Sequence, residues 1–171
     1  MARYLYGPDF VTREAGLSSL LTTAMILTGN QSFFELKLLA LQDDRLSTVQ
    51  PRSRSLELAV RSGWQRHRSV ALGAALRIDE LEQLVGWLRQ MGEPHTQLPR
   101  LLFQDASLAF DCLTADADEC LLQIKLDHDF TPAWHVNPLA PFWIPVLTTR
   151  LAVRQAADDL YAQFMRLTAP E

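Results

Sequence analysis

The chain has 171 residues, 48% hydrophobic and 21% charged, with a net charge of −4. A chain of this length buries roughly 70% of its unfolded surface, so residues 1–171 read as a single domain that needs neither disulfides nor a structural metal. No apolar run approaches the ~20 residues of a membrane span, and Met1-Ala2-Arg3-Tyr4 lacks the basic-then-apolar order of a secretory signal, so the expected setting is the cytoplasm, with no membrane partner.

Thr22 to Leu27 is β-prone, and Asn30-Gln31-Ser32 has turn chemistry. Phe34, Leu36, Leu38 and Ala40 then alternate with Glu35 and Lys37, predicting a hairpin whose second strand runs over 33–41. Asp43 to Ser55, polar and holding Pro51, reads as a long loop. Leu56, Leu58 and Val60 alternate with Glu57, Ala59 and Arg61 in a further strand that Gly63 is expected to end. Ile78, Leu81, Leu84, Val85, Leu88 and Met91 form one stripe at helical spacing, predicting a helix over 78–91. Asp79 and Glu82 suit a capping box at its start, Trp87 borders the stripe, and Gly92 and Pro94 stop it.

The second half is dominated by strands. Leu101 and Phe103 belong to one, and Leu108, Phe110 and Cys112 to the next. Leu122, Ile124, Leu126, His128 and Phe130 alternate with Gln123, Lys125, Asp127 and Asp129, predicting a strand over 122–130. A turn centred near Asp116 would set Cys112 opposite Cys120 on the buried face; the spacing leaves open whether they are bridged, though a reducing compartment disfavours it. Pro132, Pro138 and Pro141 define a loop. Phe142 to Leu147 follows as a strand in which Pro145 requires an edge or a bulge. Val153, Ala156, Ala157, Leu160, Phe164 and Leu167 then mark a closing helix over 150–167, with Thr149 as N-cap. The expected class is α+β: an antiparallel sheet of about five to seven strands with two main helices packed on one face.

Chemistry is sparse. The seven glycines form no phosphate-binding loop, and no serine sits in a nucleophile elbow. In a strand His128 would point away from Asp127 and Asp129, so these do not form a metal site. An enzyme would have to assemble distant residues such as Asp105, His128 and His135. No catalytic residue, metal or cofactor is therefore assigned.

Two surfaces invite partners. The outward side of the central hairpin would present Asp111, Glu119, Asp127 and Asp129 against Lys125 alone, an acidic face suited to a basic protein, with Trp134 and Trp143 as candidate anchors. From Arg45 to Arg68 there are six arginines and one acid, a net +5 that leaves −9 for the rest of the chain. Arg52, Arg54, Arg61, Arg66 and Arg68, with Trp64 to stack on a base, give the alternative of a nucleic-acid-associated protein. The acidic total argues against nucleic acid as the main partner, and self-association stays open.

From Gly63-Trp64 onward the order of motifs resembles that of the WapI-type bacterial immunity proteins. The resemblance is carried by the helix Asp79-Glu80-Leu81-Glu82-Gln83-Leu84-Val85-Gly86-Trp87-Leu88 and the strand Leu108-Ala109-Phe110. The group Phe130-Thr131-Pro132-Ala133-Trp134 follows, and Phe142-Trp143-Ile144-Pro145-Val146 leads into the last helix. The N-terminal third departs from the pattern, with no early strand carrying Asn-Trp and an Arg-rich loop that looks inserted. The resemblance implies an antitoxin that binds a cognate bacterial toxin stoichiometrically, with no catalytic residues to carry over.

Overall fold

The computed structural model describes residues 24–42 and 54–169. The expected α+β class holds, but among the described residues eight strands form two antiparallel sheets of four, in place of one sheet of five to seven. The first comprises β1 (Met25–Thr28), β2 (Ser32–Leu41), β3 (Ser55–Trp64) and β4 (His67–Arg77), in that order. Helix α1 (Ile78–Met91) follows. The second sheet, likewise in chain order, comprises β5 (Leu101–Leu102), β6 (Leu108–Ala115), β7 (Glu119–Leu126) and β8 (Phe142–Thr149). Helix α2 (Arg150–Thr168) closes the chain, packing on α1, β1 and β2. Alternation marks which side of a strand is buried but not where one ladder ends and another begins, so the sequence pattern does not divide the strands between two sheets.

Three boundaries differ from expectation for identifiable reasons. Gly63 does not end β3: Phe33 lies across the ladder from it, and a Cβ at Gly63 would sit 2.3 Å from the Phe33 ring. The strand runs on to Trp64, turns through Gln65 at φ 52° and returns as β4, a strand not among the expected elements. At the start of α1 the cap is Arg77, because β4 runs into the helix without a loop. Glu80, not Glu82, therefore occupies the third helical position and accepts the Arg77 N–H at 2.9 Å, its other oxygen taking the Gln104 N–H at 2.6 Å. Finally, β7 stops at Leu126. Asp127 accepts the His128 N–H at 2.9 Å, His128 turns left-handed at φ 51°, and His128–Phe130 form one 3₁₀ turn. Phe130 still reaches the core, over Gly73 of β4, whereas His128 is exposed.

Cys112 and Cys120 are both buried and unbridged, but not opposite each other. A bulge between Cys112 and Thr114 shifts the register, so Cys112 faces Leu122 and Cys120 faces Ala115. Burial raises both thiols, Cys120 to about 11, which leaves them un-ionised near neutral pH.

The core is continuous across both sheets and both helices. Phe110 of β6 meets Phe34 of β2 edge-on with centroids 5.7 Å apart. Pro145 lies on β8, an edge strand as expected, where its missing N–H is harmless. The β1–β2 turn shields that edge: Ser32 Oγ donates to the Pro145 carbonyl, and Gly29 packs so close that a Cβ would lie 3.1 Å from the Leu147 backbone.

β1 is only four residues long, so β2 outruns it. The buried Gln163 of α2 stands in for the missing strand: its Oε1 accepts the Leu38 N–H at 2.9 Å, and its Nε2 donates to the Leu36 carbonyl at 3.4 Å. Gln163→Leu should therefore cost about 1–3 kcal/mol, the penalty for an orphaned buried backbone group, read as a lower urea midpoint with unchanged slope.

Candidate partner-binding surface

Ladder register fixes what the outer face of the second sheet presents. Phe110, Ile124 and Ile144 point inward, so their neighbours point out. One row runs Trp143, Lys125, Ala109, Leu102; the next runs Pro145, Gln123, Asp111; a third holds Leu147 and Leu121. Leu102 is 65% exposed and Leu147 45%.

Asp111 and Lys125 on this face are each paired. Arg100, just before β5, donates from Nη2 and Nε to Asp111 Oδ2 at 2.7 and 3.0 Å, and its guanidinium lies 4.9 Å from the centroid of Trp143. Lys125 Nζ stands 3.0 Å from Asp127 Oδ2 and donates to the Ala106 carbonyl at 2.8 Å. Burial alone would raise the Asp127 carboxyl, but the hydrogen bonds from Lys125 and the His128 amide outweigh it and hold the group below the usual carboxylate range.

The four carboxylates expected to project together are thus not gathered. Asp111 and Asp127 are neutralised, while Glu119 opens β7 opposite Thr149 and the exposed Asp129 lies past its far end, in the 3₁₀ turn. The two tryptophans also part company. Trp143 is on the outer face, whereas Trp134 stacks on His67 at 5.0 Å and meets Phe142 edge-on at 4.7 Å, with Trp64 a further 5.7 Å from Phe142. That aromatic group ties the β3–β4 tip to the loop before β8. A cavity of about 310 Å³ opens between the two sheets, lined by Asn30, Gln31, Ser32, Trp64, Leu121, Pro145 and Leu147.

The arginines are dispersed. Arg61 pairs with Glu35 at 2.9 Å, Arg68 lies over Phe33 and donates to the Gln65 and His67 carbonyls, Arg54 is half-buried and Arg66 is exposed. Arg52, like Thr22, Thr23 and residues 43–53 of the expected loop, lies outside the described residues; Ser55 already belongs to β3. Nor do Asp105, His128 and His135 converge. Asp105 bonds Ser107 and lines a cavity that includes neither histidine, and His135 packs on Phe142 at 5.3 Å. Among the described residues no group of three or more His, Cys, Asp or Glu could hold a metal ion, and no helix is long and apolar enough to cross a membrane.

Arg100, Leu102 and Leu147 are not among the residues that the sequence pattern singles out. Alternation from the buried Val146 would have placed Leu147 outside, but nothing local marks Arg100, whose partners lie 11 and 43 residues away.

The fold is α+β, and the outer face of its second sheet carries Trp143, stacked by Arg100, with exposed Leu102 and Leu147. The chain belongs to the immunity protein WapI-like family, whose model matches residues 25–168. The match thus takes in the first sheet, ahead of Gly63 where the resemblance in sequence began. Comparison with curated proteins and with solved structures gives no match.

Proposed function

We propose that this protein is a cytoplasmic bacterial immunity protein that binds a cognate toxin domain directly and occludes it without catalysis. The observation that carries this reading, beside family membership, is the outer face of the second sheet. Trp143 lies under the Arg100 guanidinium that Asp111 holds, and the same face exposes Leu102 on β5 and Leu147 further along β8. Tryptophan and arginine dominate binding hot spots, and an apolar centre with a paired polar rim is the anatomy of specific interfaces. In this arrangement Trp143 is the anchor and Asp111 fixes Arg100. Asp127 lies on the rim and Glu119 and Asp129 mark its margins, while Trp134 braces the loop before β8 and lies outside the face. The adjoining cavity by Leu121 and Leu147 would take a side chain of the toxin.

The test is co-expression with the toxin domain encoded beside this gene, followed by titration of the purified pair. The wild type should rescue growth and form a one-to-one complex. Trp143→Ala should weaken binding by about 2 kcal/mol, roughly 30-fold in Kd, with the circular dichroism of the free protein unchanged. Ile26→Ala, on the far sheet, should leave Kd unaltered. No rescue and no complex would defeat the proposal, and equal losses from both variants would move the interface elsewhere.

A further inference from the structure

Each sheet has two edges, and exposed edges template unwanted pairing unless they are short, charged, covered or broken. Here β5 has two residues and β1 four, and β8 carries Pro145 under the β1–β2 turn. The fourth edge, β4, is different. It has eleven residues, a bulge breaks its ladder only at Ala75 near its end, its run 69–76 carries no charge, and Val70 and Leu72 are 68% and 61% exposed. Among the described residues no backbone hydrogen bond outside the ladder with β3 reaches it between Arg68 and Leu76. The 3₁₀ turn touches β4 from the core side, through Phe130 and Asp129 at Gly73, and leaves the outer side open.

We infer that β4 is a self-association edge, along which two copies of this chain pair antiparallel about a two-fold axis at Ala71. The occupant follows from what that register sets together. Val70 of each copy faces Leu72 of the other, an apolar pair on the exposed side, and Arg68 faces Ala74, so like charges do not oppose each other. One residue later the axis would oppose His67 to Arg77. The same pairing brings the turn holding Arg66 toward the end of β4 in the second copy, beyond the bulge at Ala75, where a cavity of about 380 Å³ is lined by Leu76, Arg77, Glu80 and Asp105 among others. Arg66 is exposed, and neither it nor Asp105 has an ion pair among the described residues, so each copy offers a cation where the other offers a carboxylate. Extending the sheet this way is strand addition, with main-chain bonds supplying affinity and side chains supplying register.

Sedimentation of the full chain tests it, with no toxin present. The wild type should run at twice the chain's 19.4 kDa. Val70→Lys with Leu72→Lys sets like charges opposite each other at both symmetric pairs and should weaken association at least tenfold, while both exposed positions leave the fold intact. Val70→Lys with Leu72→Glu sets opposite charges there and should stay dimeric. A monomeric wild type overturns the inference and leaves the edge to residues 1–23 or to a strand of a foreign protein. A dimer indifferent to the two lysines, or one dissociated equally by both double variants, overturns it as well.

Discussion

Phe110→Ala should lower the stability of this protein by about 4 kcal/mol, the upper part of the range for emptying a fully buried aromatic site. The ring is wholly inaccessible and holds together elements that share no ladder. It meets Phe34 of β2 at 86°, Phe103 of the β5–β6 segment at 77° and Trp87 of α1 at 54°, with centroids 5.7 to 6.2 Å apart. Each edge-on contact adds ~0.5–1.5 kcal/mol beyond area burial. The backbone on either side is fixed by the β6–β7 ladder, so the cavity cannot close by a shift of β6. The measurement is urea unfolding, where the midpoint should fall and the slope stay constant. Phe110→Leu, which keeps much of the volume, should lose about half as much. A loss under about 1 kcal/mol for the alanine variant would mean that the two sheets do not share one core.

What the residue pattern revealed, and what it hid, follows from which contacts are local. The six apolar positions from Ile78 to Met91 define α1 to the residue, because a helix stripe depends only on spacing within the segment. β2 and β3 were legible for the same reason. β4 was not, because its polarity is inverted. Ser69, Ala71 and Gly73 face inward, the last because Phe130 fills the space a side chain would take, while Val70 and Leu72 face out. The overrun of β7 has a related cause. Phe130 is buried, as period-two reading requires, but a 3₁₀ turn delivers it there, and that turn releases His128 to solvent. The candidate surface suffered most, since it depends on Arg100 meeting Asp111 and Trp143 across two ladders. Sequence shows the carboxylates, but their neutralisation belongs to the fold.

Arg150→Met should cost about 3 kcal/mol, and Arg150→Lys should recover little of it. The guanidinium is buried, and among the described residues no carboxylate lies within ion-pair distance of it. Its Nη1 donates to the carbonyls of Met91 at 2.7 Å and Thr96 at 2.9 Å, and its Nε donates to that of Asp116 at 2.7 Å. One side chain thus ties the C-terminal end of α1, the segment after it and the β6–β7 turn to the first residue of α2. Two effects compete when it is replaced. Methionine relieves the cost of keeping a cation out of water, which can exceed what buried charge contributes. It also strands three carbonyls, each worth ~1–3 kcal/mol unless water reaches it, one of them at the negative end of a helix. The acceptors should prevail because they are main-chain groups held by elements that persist after the substitution. Lysine keeps the charge, but its ammonium is a compact point and cannot span acceptors on three segments as a planar fork does. Thermal unfolding should show both variants lowered by about 6–12 °C. A methionine variant as stable as the wild type would mean that water satisfies those carbonyls and that Arg150 is dispensable to the fold.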